Sequence, residues 1–121
     1  MYFEGRHLKP YTNPISPLDL IFGEVYFSVT FYDDEMLIPC IDTMIFIGKD
    51  IREEDDGVHY FQDYDSFHDG ERIENKETVK HAKFYFCDHL SNVFKFEDAL
   101  DILLDCSLRR RKRVPEHRRR T

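Results

Sequence analysis

The stretch Glu24-Val25-Tyr26-Phe27-Ser28-Val29-Thr30-Phe31-Tyr32 decides the fold class. Val25, Phe27, Val29 and Phe31 share one parity, while Glu24, Tyr26, Ser28, Thr30 and Tyr32 share the other. Successive side chains of an extended backbone point to opposite sides, so this segment reads as a strand with one apolar face. Asp33-Asp34-Glu35 breaks the pattern, and residues 36–47 then form a β-branched, apolar run closed by Gly48. Two such runs around a short polar break make a hairpin. Pro39 has no N–H to give to a ladder, so the second strand is expected at a sheet edge or bulged near that point.

Downstream of the hairpin, residues 49–57 are acidic with little to bury and read as a solvated loop. Residues 58–64 read as a third strand, residues 65–80 as a polar loop turning at Gly70, and residues 81–87 as a fourth strand rich in Phe and Tyr. The last element is a helix starting near Phe96, with apolar residues at Phe96, Ala99, Leu100, Leu103, Leu104 and Leu108, close to a 3.6-residue period. Glu97 and Asp98 in its first turn and Arg109 to Arg111 in its last suit the helix dipole. Beyond Val114-Pro115 no apolar residue repeats, and the terminus is expected to fray. Upstream of the hairpin, Pro10, Pro14 and Pro17 favour an extended arm, with one helical turn capped by Ser16 ahead of Pro17. The expectation is an α+β fold. A mainly antiparallel sheet of about four strands, curled towards a partial barrel, carries the C-terminal helix on one face.

The 121 residues suit one domain. A 41% hydrophobic content with 11 Phe and 7 Tyr supplies enough apolar surface to exclude global disorder. No apolar run is long enough to cross a membrane, and the first residues lack the pattern of a secretory signal, so a cytoplasmic protein without membrane attachment is expected. Cys40, Cys87 and Cys106 are odd in number and widely spaced, which favours reduced thiols over a disulfide framework.

Charge divides the chain more sharply than its overall value of −7 suggests. Residues 109–121 hold eight Lys or Arg against Glu116, a charge of +7, which leaves −14 on residues 1–108. The sequence therefore reads as an acidic domain over 1–108 and a basic tail over 109–121.

No nucleophile elbow, phosphate-binding glycine loop or dinucleotide fingerprint is present, and neither a catalytic residue nor a cofactor is assigned. The acidic stretch from Asp63 to Glu74 puts Asp65, Asp69 and Glu74 in register with a calcium-binding loop, but Phe67 stands at a ligand position and His68 where the turn requires glycine. A hydrated loop explains it better than a metal site. His81, Cys87 and His89 share a strand parity, but one strand rarely supplies a coordination sphere, and a buried thiol with strand-end histidines is favoured.

Three functions follow, in descending order. The first is a non-enzymatic interaction or accessory domain, immunity-type proteins among them, whose acidic surface steers a basic protein partner. The second is a nucleic-acid-associated protein that holds phosphates with Arg109, Arg110, Arg111, Lys112, Arg113, Arg118, Arg119 and Arg120. The third, a metal-dependent hydrolase, would combine the acidic loop with His59 or His68. Self-association is compatible with all three.

Overall fold

The computed structural model describes residues 5–8 and 12–120, with residues 114–120 described by backbone alone. Strands β1 (Val25–Phe31) and β2 (Pro39–Lys49) form the expected hairpin, paired antiparallel from Val25↔Ile45 to Phe31↔Pro39. The Asp33 carboxylate organises the turn by accepting the N–H groups of Leu37 at 3.0 Å and Ile38 at 2.9 Å. Strand β3 (His59–Asp63) pairs with β2, β4 (Phe84–Cys87) pairs with β3, and β5 (Val93–Phe94) pairs with β1. All pairings are antiparallel and the order is β4-β3-β2-β1-β5.

The sheet thus has five strands rather than about four, and it does not close into a barrel. The extra strand is two residues long, too short for a period of two to show in sequence. β2 lies inside the sheet, but Pro39 is its first residue and β3 pairing begins only at Met44, so the missing N–H costs nothing. The bulge falls instead between Phe46 and Gly48, where Gly48 takes a φ of 144°. β3 stops at Asp63 because that carboxylate caps helix α1 (Tyr64–His68), which occupies the start of the expected polar loop. β4 begins at Phe84 rather than His81, because the N–H groups of Lys80, His81 and Ala82 all donate to the Glu71 carboxylate instead of a strand. A single 3₁₀ turn follows Ser16, as the cap and Pro17 imply.

Both faces of the sheet carry a hydrophobic layer. On one, Tyr26, Met44, Phe46 and Phe61 pack beneath Ile15 and Leu90. Tyr26 is buried although it lies on the polar parity, because its hydroxyl accepts Ile21 N–H at 2.8 Å and donates to the Asp19 carbonyl at 3.3 Å. Phe61 is 0% exposed, and truncating it to Ala should cost about 3–5 kcal/mol. On the opposite face, helix α2 (Phe96–Arg120) lays Ala99, Ile102 and Leu103 on Phe27, Val29, Phe31 and Phe94. Phe67 and Ile73 cover the remainder, above Ile45, Ile47 and Tyr60.

α2 is continuous past its expected end near Arg111: Arg and Lys favour the helix through Arg113, and the backbone continues through Pro115 to Arg120. Its apolar positions divide into two sets. Ala99, Ile102, Leu103 and Cys106 meet the body of the protein, whereas Leu100, Leu104 and Leu108 lie on the other side and line a groove.

Residues 88–92 carry the chain from one sheet edge to the other and drop Leu90 into the core on the way. Fully extended, that connection reaches about 20 Å, and four strand spacings of a flat sheet occupy about 19 Å. Part of its length is spent on a turn in which Val93 N–H donates to Leu90 O at 3.1 Å, so the sheet curls towards this face.

Candidate functional site

Beyond the Leu90 plug, the curled face is lined by polar side chains. Ser28 and Thr30, from the polar parity of β1, stand at one side and Tyr85 and Cys87 of β4 at the other. Two depressions, of 560 Å³ and 190 Å³, share Tyr85 as a lining residue and together make up the trough described here. The larger is walled by Asp42 of β2, Asp63 at the end of β3, Asp65 of α1, and Lys83, His81 and Tyr85 from the β4 side.

Asp63 is fixed by the architecture. Its carboxylate accepts the Ser66 hydroxyl at 2.6 Å, the Ser66 N–H at 3.1 Å and the Lys83 N–H at 2.7 Å. Partial burial opposes the charge, but these donors outweigh it and hold the carboxyl below its ordinary range. Tyr85 is shifted the other way: burial first, then the charges of Asp42, Asp63 and Cys40, raise its hydroxyl, which stays a neutral donor at pH 7. Among its described lining residues, three aspartates, Asp42, Asp63 and Asp65, stand against one lysine, Lys83, so the formal charge of the depression is negative.

The other candidates separate in space. His81 lines the larger depression, while Cys87 and His89 line the smaller. Burial, reinforced by Asp88, raises the Cys87 thiol, so it is a poor nucleophile. His59 is buried beside the Phe46 ring, with neither ring nitrogen partnered among the described residues, and His68 stacks on Tyr64 at 5.8 Å. Glu71 is held by three backbone N–H groups and Asp63 by its cap, so two carboxylates of the calcium-like stretch serve the loop itself. Among the described residues no three His, Cys, Asp or Glu are grouped to hold a metal ion. Sequence reasoning missed the adjacency of Asp88, His89 and Ser91, in which His89 Nδ1 lies 2.9 Å from Ser91 Oγ and Nε2 lies 3.7 Å from Asp88. Both Asp88 and His89 side chains are more than 70% exposed, so water competes for these contacts.

The first residues of the basic tail continue α2 and touch the body. Arg109 donates to Met36 O at 2.7 Å, Arg110 donates to Leu37 O at 2.8 Å, and Arg113 pairs with Glu35 at 2.9 Å. Arg109 also pairs with Asp105 and lies 5.7 Å from the centre of the Phe31 ring. These arginines prolong the sheet-facing side of α2 beyond the point where the sheet ends, so they meet the β1–β2 turn instead of apolar residues. Arg111 and Lys112 point outward. The side chains of Arg118, Arg119 and Arg120 lie outside the described residues.

Comparison with protein-family models, with curated proteins and with solved structures found no match to the chain. Among the described residues no helix is long and apolar enough to cross a membrane.

Proposed function

We propose that this chain is a protein-interaction domain of the accessory type, whose trough takes basic side chains of a partner protein. One observation carries the reading: Asp42, Asp63 and Asp65 converge on a single 560 Å³ depression beside the neutral Tyr85 ring. Carboxylates give a guanidinium or ammonium its charge partner, and an aromatic ring adds a cation–π surface. The −14 carried by residues 1–108 would speed encounter with such a partner. A cytoplasmic setting belongs to this reading and is supported by three free cysteines.

The competing reading, polyanion binding by the tail, is weakened by the engagement of Arg109, Arg110 and Arg113 with the β1–β2 turn. One titration separates the two. A fluorescent arginine-rich peptide and a single-stranded RNA are each titrated against the full chain, a chain ending at Lys112, and the Asp42→Asn/Asp65→Asn variant. The peptide should bind both wild-type lengths and lose most of its affinity for the variant. Peptide binding indifferent to the two Asn substitutions, or RNA binding abolished by the truncation, would reject the proposal.

A further inference from the structure

α2 keeps an apolar stripe that its own sheet does not use. At 100° per residue, Leu100, Leu104 and Leu108 fall within about 40° of one line along the helix, nearly opposite Ala99, Ile102 and Cys106, which are covered. Together with Leu8 of the N-terminal arm the stripe lines an 800 Å³ groove, and Leu108 is 45% exposed. Isolated exposed leucines need no explanation, but exposed Leu108 and half-buried Leu100 and Leu104 form a continuous apolar strip along one groove.

Charge along the same stripe selects the occupant. Glu97 stands on it one turn before Leu100, and Arg111 one turn after Leu108. The helix is acidic at its start, with Glu97, Asp98, Asp101 and Asp105, and basic from Arg109 onward. Such a surface is complementary to itself when reversed. We propose that this face of α2 binds a second copy of the same chain, the two helices running antiparallel about a two-fold axis at Leu104. That register sets Leu104 against the partner's Leu104, Leu100 beside the partner's Leu108, and Glu97 beside the partner's Arg111. An isologous contact requires this reciprocity, and antiparallel helices also oppose their dipoles favourably.

Glu97 is already bound by Arg6 at 2.7 Å, yet its side chain is 68% exposed and has room for a second cation. Arg6 also reaches Asp101 at 2.9 Å, beside Gly5 and Leu8 on the wall of the groove. Arg111 makes the matching free charge, because Arg109, Arg110 and Arg113 on the other side of the helix hold the β1–β2 turn. Among the basic residues with described side chains, the stripe therefore carries the one placed to reach a reversed neighbour.

Sedimentation velocity over a concentration series, on the full chain, tests the inference. The wild type should dimerise, and Leu104→Glu should sediment as a monomer, because it sets two carboxylates face to face at the axis. Glu97→Lys and Arg111→Glu should each raise the dimer Kd roughly tenfold, two repulsive rim pairs having replaced two attractive ones. The double variant Glu97→Lys/Arg111→Glu should bind more tightly than either single variant, short of the wild type because Glu97→Lys also breaks the Arg6 pair, an outcome that holds even if Leu104→Glu fails to fold. A wild type that stays monomeric throughout would overturn the proposal, as would a dimer untouched by Leu104→Glu. A dimer lost in Leu104→Glu but indifferent to both charge reversals would overturn the antiparallel register.

Discussion

The Arg110 guanidinium donates to the carbonyl oxygen of Leu37 at 2.8 Å, across 73 positions of sequence. With Arg109 on the carbonyl of Met36 at 2.7 Å, it ties the end of α2 to the β1–β2 turn. Replacing both, in Arg109→Ala/Arg110→Ala, should cost about 1–2 kcal/mol, since charge-assisted bonds at a partly hydrated site deliver less than their full strength. Thermal unfolding should drop by about 4–8 °C. Amide exchange at Leu37 and Ile38 should accelerate, and an unchanged melt with unchanged exchange would mean that the turn does not depend on the clamp.

The two sides of α2 should respond unequally to charge. Leu103 packs against the sheet, so Leu103→Asp should destabilise by about 3 kcal/mol or more, read from urea unfolding at low protein concentration. Leu100→Asp places its carboxylate in the open groove and should cost less than half as much. Equal losses would contradict the assignment of the two stripes.

Glu71 makes stability depend on pH in a defined direction. The N–H groups of Lys80 and His81, and then Ala82, lower its carboxyl below the ordinary value of 4.5, against a smaller opposing effect of burial. A depressed folded value means that the contribution is complete above 4.5 and is lost as pH falls through the folded value. Glu71→Gln should therefore be less stable than wild type at pH 7, and its stability should fall less steeply below pH 4.5. Parallel wild-type and variant curves through that acid range would show that the carboxylate is not linked to folding.

His59 is 6% exposed, and neither ring nitrogen has a hydrogen-bond partner among the described residues. Burying polar atoms without partners costs about 1–3 kcal/mol, and an apolar replacement of similar size removes that cost. His59→Leu should raise the melting temperature by a few degrees at pH 7. A clear loss of stability would indicate that the imidazole is hydrogen-bonded in solution.

The parity of residues 24–32, the break at Asp33-Asp34-Glu35 and the helical spacing after Phe96 were enough to place the hairpin and α2. Each depends on single-residue chemistry repeated at a short period, which survives in any tertiary context. The charge division between residues 1–108 and 109–121 was equally plain, being a property of composition. Only the tertiary structure decided that Val93–Phe94 completes the sheet and that Asp63 caps a helix instead of prolonging a strand. It also decided that Ser28 and Thr30 line a trough with Tyr85, and that of two apolar stripes on α2 the sheet takes one. Cys106 meets the Leu37 carbonyl across 69 positions and Arg6 meets Glu97 across 91, so the partners are chosen by the closing of long loops. No local pattern encodes that choice, because the same arginine or leucine satisfies helix propensity equally well whichever way the helix is turned.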